Sequence, residues 1–354
     1  VDEVIAFKPL SQQTLEGIAA LMLDEYKPSM ESKGIAYRYT PAALSALVAK
    51  SQGGKFGARD LRRVIRKAVN ALPQVYKRAG YKTYFMHPGY SWFYDRERVN
   101  DYLGFDRSVF TENGFGELVD PYVAMWHSDQ QLADYLLADL DAADGSPLFS
   151  FAVSYQNHGP YAETESTVPY VSPEASGWSQ ESCNILNNYL FGVNETVCEY
   201  VRLTQELDAR DTPVVLVLFG DHKPWMGNGG SVYEEMGIDF DTSTLAGFRN
   251  YYATPYLIWA NRAAKEVLGA DFTGDGGDFS PCFLMTRLFD ACGWAGPGYM
   301  QLSRAMRDIS PLLHTNGLFL YDGVLTSVLS DTDRSFYRSW LAVQYYREHV
   351  AAYS

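Results

Sequence analysis

The chain has 354 residues, of which 47% are hydrophobic and 20% charged, with a formal net charge of −14. That length and apolar content suffice for one large core with a smaller module beside it, and they exclude wholesale disorder. The acidic balance sets nucleic acid aside as the main partner, because a phosphate backbone is held by an excess of Lys and Arg.

Ser11 is placed to cap a helix running towards Ser32, with Leu15, Ile18, Ala19, Met22 and Leu23 at helical spacing. Thr40-Pro41 repeats the start signal as N-cap and first helical residue. Residues 59–67 are strongly basic, with Arg59, Arg62, Arg63, Arg66 and Lys67. Nucleic acid and an acidic partner both suit that composition, and a solvated subunit-contact face is the favoured reading. No GxxxxGK[ST] pattern occurs anywhere, so the chain is not a self-sufficient P-loop ATPase.

The run Tyr81–Met86 reads as a strand ending in His87, followed by Trp92, Tyr94, Asp95 and Arg96. Residues 129–142 read as a helix, and Phe149–Tyr155 as a second strand ending in Gln156-Asn157-His158-Gly159-Pro160-Tyr161. After a long helix over 180–207 comes Val214-Val215-Leu216-Val217-Leu218-Phe219, preceded by Pro213 and followed by Gly220-Asp221-His222. A continuous apolar run of this length predicts a central parallel strand covered on both faces. Three of the six histidines therefore end strand-like runs, at the edge where open α/β sheets bind ligands. Residues 252–259 supply a further buried strand, and the alternation predicts an α/β sheet with helices on both faces.

The Gly- and Asp-rich segment 271–278 fits no EF-hand spacing and reads as a solvated loop. Asn194-Glu195-Thr196 is a formal glycosylation sequon. Cys183, Cys198, Cys282 and Cys292 have no CxxC spacing, which argues against a zinc ribbon. Pairing within each half and buried free thiols are both compatible with the sequence. His127, His314 and His349 have no evident partners. No run of 18 or more apolar residues and no signal-peptide pattern occurs, so the chain as given is expected neither to span a membrane nor to export itself. Aromatic content is 15%, with 26 Tyr and 7 Trp, a composition suited to carbohydrate or glycerol-containing substrates as well as to packing.

The segments HPGYSWFYDR, YQNHGPY, FGDHKPW and TPYLIWAN, in this order, resemble the lipoteichoic-acid-synthase branch of the sulfatase and alkaline-phosphatase superfamily. The resemblance runs from about Leu72 to the C-terminus. It implies a sulfatase-like α/β fold and an enzyme at the extracellular face of a bacterial membrane. That enzyme would use one divalent metal, usually Mn²⁺ with Mg²⁺ or Zn²⁺ as alternatives, and a hydroxyl nucleophile. The implied substrate is a phosphodiester or sulfate ester, such as a glycerophospholipid. Carried over by residue, it makes Asp221 and His222 metal ligands, His158 a substrate-binding group, and His87 and Arg96 binders of the phosphate or glycerol group. Tyr94 would pack on the glycerol, whereas a core role competes for Trp92. A carboxylate and a neutral imidazole suit Mn²⁺ or Zn²⁺, and an Arg gives a planar fork for phosphate oxygens.

That family's fold begins with a strand carrying an acidic metal ligand and a helix start presenting the nucleophile. Neither is recognisable before residue 70, so turnover is expected to be impaired. Residues 1–69 resemble instead the C-terminal small subdomain of Clp-type AAA+ unfoldases, through VDEVIAFKPLS, KGIAYRYTPAALSAL and KFGARDLRRVIRKAV. This second resemblance implies a nucleotide-sensing role for Arg59 and self-association through residues 1–70. It also implies a domain boundary near 70, dividing 1–70 from 71–354, and an alternative function as a non-catalytic assembly module.

Overall fold

The computed structural model describes residues 12–24, 38–51, 71–117, 127–143 and 145–349. Ser11, Arg59 and the basic stretch 59–67 lie outside them.

Near the N-terminus, α1 (Gln12–Asp24) and α2 (Pro41–Ser51) pack through Leu15, Ala19, Leu23 and Val48. Thr40 accepts the Ala43 N–H at 3.2 Å, the expected cap, with Pro41 in the first turn where its missing N–H costs nothing.

Helix α3 (Leu72–Arg78) leads into β1 (Lys82–Met86). Strand β1 is the middle strand of a parallel sheet, flanked by β2 (Arg107–Val109) and β3 (Leu148–Ala152). Tyr84 lies opposite Arg107 on one side and opposite Ser150 on the other. Helix α4 (Arg96–Leu103) makes the first crossover and α5 (Asp129–Ala142) the second. A capping box starts α5: Ser128 accepts from the Gln131 N–H, and the Gln131 side chain accepts from the Ser128 N–H.

Next come α6 (Gln180–Asp208), β4 (Val215–Phe219), α7 (Leu245–Tyr252), β5 (Tyr256–Ala260) and α8 (Arg262–Leu268). The run expected to be a central parallel strand is β4, and here the expectation fails. Strand β4 pairs antiparallel with β5, Val217 opposite Ile258, in a ladder separate from the first sheet. Its residues are half-buried and Phe219 is 46% exposed. An apolar run specifies burial and not direction. Direction is set by the connection, which returns through α7 to the end where β4 stops. The strand expected from residue 252 starts at Tyr256, because α7 extends through Tyr252.

Helix α5 joins the two ladders. Leu132 and Leu136 pack with Met86, Val109 and Ala152 of the first sheet. Ala133, Leu137 and Leu140 pack with Leu203, Leu207, Leu216 and Trp259 around the second. Asn261 is fully buried and ties β4 to its neighbours. Its Oδ1 accepts the N–H groups of Val214 and Ala264, each at 2.9 Å, while Nδ2 donates to the carbonyls of Leu207 and Thr212 at 2.9 Å and Arg210 at 3.4 Å.

The C-terminal part holds α9 (Leu284–Ala291), α10 (Gly298–Ile309), the hairpin β6 (Phe319–Tyr321) and β7 (Val324–Thr326), and α11 (Asp331–His349). Phe283, Met306 and Trp340 form its core, and the Trp340 indole N–H donates to Ser303 Oγ at 3.0 Å. All four cysteines are free thiols, so no disulfide supports either half. The 271–278 segment is a loop whose Asp271 and Asp275 accept backbone N–H groups two residues on.

Candidate active site

At the carboxyl end of β1, His87 is buried between the flanking strands. Its backbone N–H donates to the Val109 carbonyl at 2.9 Å, and its Nδ1–H donates to the Val153 carbonyl at 3.0 Å. A β-carbon on Gly89 would stand 2.5 Å from His87 Nε2, so glycine there makes room for the imidazole. Burial lowers the His87 pKa, the Val153 bond opposes that shift, and the Arg96 charge adds to it. The ring is thereby biased towards the neutral form.

The segment after His87 turns sharply: Tyr94 and Asp95 both have φ 57°, a left-handed conformation uncommon without glycine. It places the Arg96 guanidinium 5.2 Å from the Tyr94 ring centre and 5.8 Å from that of Phe93. Arg96 also interacts with Tyr155.

At the end of β3, the Tyr155 ring stands between two histidines, 5.4 Å from the His87 ring and 5.6 Å from that of His158. The His158 Nδ1–H donates to the Gly159 carbonyl at 2.7 Å, which puts the lone pair on Nε2. At the end of β4, the Gly220 N–H donates to the Pro255 carbonyl and the Thr254 hydroxyl to the Gly220 carbonyl at 2.7 Å, fixing the turn. His222 then meets His158, rings perpendicular and 6.0 Å apart. Asp221, His222, His158, Tyr155 and Ser154 line one cavity of about 840 Å³.

The structure thus brings His158, Asp221 and His222 together in one cavity and sets His87 and Arg96 beside it through Tyr155. Tyr94 lies at the outer end, 76% exposed, on the guanidinium of Arg96.

Sequence reasoning missed the polar network behind His158. Asp129 was read only as a helix-start residue, yet it is 4% exposed. Its Oδ2 accepts the Thr196 hydroxyl at 2.5 Å, and Thr196 accepts the Asn157 amide at 2.7 Å. The Asp129 N–H donates to Gln156 Oε1 at 2.7 Å. Burial raises the Asp129 pKa, the Thr196 and Ser154 hydroxyls oppose the rise, and Glu199 and Glu195 add to it. The sequon threonine is therefore a half-buried hydroxyl within this network. Partners also exist for two of the three histidines that the sequence left without one: His127 Nδ1 lies 3.1 Å from Gln131 Oε1, and His314 packs against Phe248 and Tyr252, while the His349 side chain lies outside those described.

The metal test turns on Asp221 and His222. The His222 Nδ1–H donates to the Lys223 carbonyl at 2.9 Å, leaving the Nε2 lone pair 3.7 Å from Asp221 Oδ2. A backbone carbonyl holding the remote ring nitrogen is the usual arrangement of a ligating imidazole. One carboxylate and one imidazole side by side fit two positions on a divalent ion. No group of three or more His, Cys, Asp or Glu suited to a metal occurs among the described residues.

A family model described as Sulfatase matches residues 38–293. The putative cyclic beta-1,2-glucan modification protein of Rhizobium meliloti (strain 1021) is 26% identical over 253 residues, 69% of this chain and 37% of that protein. The chaperone protein ClpB of Rhodopirellula baltica is 30% identical over 69 residues, 20% of this chain and 8% of that protein. The chain spans well under half the length of these curated relatives. The Streptococcus pyogenes phosphoglycerol transferase GacH, solved in complex with sn-glycerol-1-phosphate, superposes with a TM-score of 0.56 at 17% identity, covering 96% of this chain and 94% of that one. The likeness shows a shared fold.

Proposed function

The chain belongs to the sulfatase family, and from that premise we propose that its strand-end site binds a phosphodiester and serves metal-dependent transfer or hydrolysis of a phosphoglycerol group. The observation that carries the reading is the convergence of His87, His158 and Asp221-His222 from three strand ends, with Arg96 alongside.

Arg96 supplies a fixed positive fork for non-bridging phosphate oxygens, and His87 and His158 supply imidazole nitrogens along the same edge. Asp221 and His222 are the residues that would hold Mn²⁺, Mg²⁺ or Zn²⁺. Bound there, such an ion polarises an ester oxygen and lowers the pKa of an attacking hydroxyl. The glycerol phosphate in the GacH complex supports phosphoglycerol over sulfate as the group transferred.

Turnover by this chain is proposed to be low. Among the described residues Ser154 is the one serine or threonine lining the cavity, and its hydroxyl is engaged with Asp129 and Tyr200. We further propose that residues 1–70 form a Clp-like helical module with Arg59 on its basic stretch, and that the ester-transfer part works at the extracellular face of a bacterial membrane. No described helix is long and apolar enough to cross a membrane. The alternative of a purely non-catalytic assembly module has less support, because the family match covers most of the chain.

The test is a calorimetric Mn²⁺ titration of the chain beside Asp221→Ala and His222→Ala, with bis(p-nitrophenyl) phosphate turnover measured on the same samples. Stoichiometric binding lost in both variants supports the site; undiminished binding in either refutes it. Brisk turnover that disappears in Asp221→Ala would overturn the proposal of impairment.

A further inference from the structure

The segment that follows His87 carries an exposed aromatic ledge. Tyr90, Trp92, Phe93 and Tyr94 fall within five residues and are 39%, 69%, 44% and 76% exposed. Apolar area left in water in one contiguous patch marks a contact surface more often than chance packing. These rings are held in place. Tyr90 and Trp92 stack at 5.8 Å with 25° between planes, Phe93 meets both Trp92 and Tyr94 edge-on, and Arg96 lies against Phe93 and Tyr94. The Tyr90 hydroxyl donates to Glu117 at 2.6 Å, and the Ser91 N–H donates to Glu112 at 2.9 Å, pinning the ledge to the chain beyond β2.

Charge selects the occupant. Across residues 90–117 the acids Asp95, Glu97, Asp101, Asp106, Glu112 and Glu117 outnumber the bases Arg96, Arg98 and Arg107, in a chain already at −14. An anionic bilayer surface or polyphosphate is repelled by that balance. A neutral saccharide suits it, because sugar C–H faces stack on aromatic rings while hydroxyls donate to carboxylates. Arg96, packed on the Phe93 and Tyr94 rings, is also close enough for its charge to act on His87 and on Tyr155, which lines the cavity, so the ledge adjoins the site.

We propose that Tyr90, Trp92, Phe93 and Tyr94 form a subsite for a neutral glycan that presents an acceptor hydroxyl to the site. As an acceptor subsite it rests on the ester-transfer reading; as a glycan-binding surface it does not.

The test is calorimetry of the full chain with neutral gluco-, galacto- and manno-oligosaccharides, and co-sedimentation with phosphatidylglycerol vesicles. The chain is compared with Trp92→Ala, Trp92→Phe and Asp221→Ala, all first shown to unfold at the parent's urea midpoint. Expected are binding of at least one neutral oligosaccharide, a tenfold or greater loss in Trp92→Ala, partial recovery in Trp92→Phe, and full retention in Asp221→Ala. Silence across all three sugar classes, equal binding in Trp92→Ala, or vesicle binding that Trp92→Ala abolishes would each overturn the proposal. Glycan binding without Mn²⁺ binding would leave the ledge standing and sink the ester-transfer reading.

Discussion

Replacing Asn261 by alanine tests what holds β4, and with it Asp221 and His222, in place. Four of its side-chain hydrogen bonds measure 2.9 Å, and the residue is wholly shielded from water. At about 1 kcal/mol net for each bond, the loss is about 4 kcal/mol, and more if the freed backbone groups stay unsolvated. Against a typical total stability of about 5–15 kcal/mol, that is a large share. Urea unfolding followed by tryptophan fluorescence measures it; with a slope of about 2–3 kcal/mol/M the midpoint should fall by about 1–2 M. A loss under about 1 kcal/mol, the value of a single bond, would refute the reasoning. Asn261→Asp sharpens the test. It keeps the acceptor for Val214 and Ala264 but turns an oxygen towards three carbonyls, so burial and those dipoles raise its pKa above the ordinary value of about 3.9. Between that value and the raised one the folded state binds more protons than the unfolded state, so the deficit relative to the parent should shrink as pH falls from 7 towards 4.

His87 gives the opposite sign. Its pKa is lowered from 6.5 by burial, so below 6.5 the unfolded state binds more protons and stability falls with pH until the lowered value is passed. His87→Asn, which retains a donor for Val153, should lose less urea stability than the parent between pH 7.5 and 5.5; equal losses would show that His87 does not titrate in this way. Asp129, raised by burial, should cost less when uncharged: Asp129→Asn is expected to raise the thermal midpoint at pH 7, whereas Asp129→Ala lowers it by stranding the Thr196 hydroxyl, at about 1–3 kcal/mol. A drop in both variants would mean that the carboxylate charge itself is required. Arg96→Lys keeps the charge and loses the fork, so sn-glycerol-1-phosphate should bind about tenfold more weakly by calorimetry, the equivalent of one hydrogen bond of about 1.4 kcal/mol. Unchanged affinity would remove Arg96 from the phosphate site.

The elements legible in the sequence were those with a local cause. Thr40-Pro41 starts a helix because its cap and its ring act within one turn, and α5 and α6 lie within a residue of their expected limits. The strand-end clustering was legible for the parallel sheet, which delivers the carboxyl ends of β1 and β3 to one edge and so sets His87 and His158 on either side of Tyr155; that Asp221-His222 comes up to His158 from a separate antiparallel pair was not legible in the apolar run. What failed was direction and partnership. Nothing in Val214–Phe219 records that its neighbour arrives antiparallel, because the pleat and the apolar pattern are identical either way. Asp129 failed for a related reason: an acid at a helix start has a sufficient local explanation, and its burial depends on Thr196, 67 residues away.

The same long-range contacts explain how one site stands across two ladders that share no strand pairing. His87 and His158 follow the parallel sheet, and Asp221-His222 the β4–β5 pair, yet His158 and His222 stand 6.0 Å apart. Helix α5 sets that spacing by packing one stripe on each ladder. Its first residue, Asp129, then clamps the His158 loop through Gln156 and, by way of Thr196 of α6, through Asn157. Helix and clamp form one continuous element from core to cavity. A cavity made in the α5 core is therefore felt at the cavity wall, since close-packed interiors transmit displacement instead of absorbing it. The parallel half is the more firmly held: His87 is buried and bonded to both neighbouring strands, while the Asp221 and His222 side chains are 78% and 62% exposed and rest on local contacts. On the proposed ester-transfer reading, the two groups offered to a metal sit on the looser half, and the imidazole of His87 sits on the rigid one.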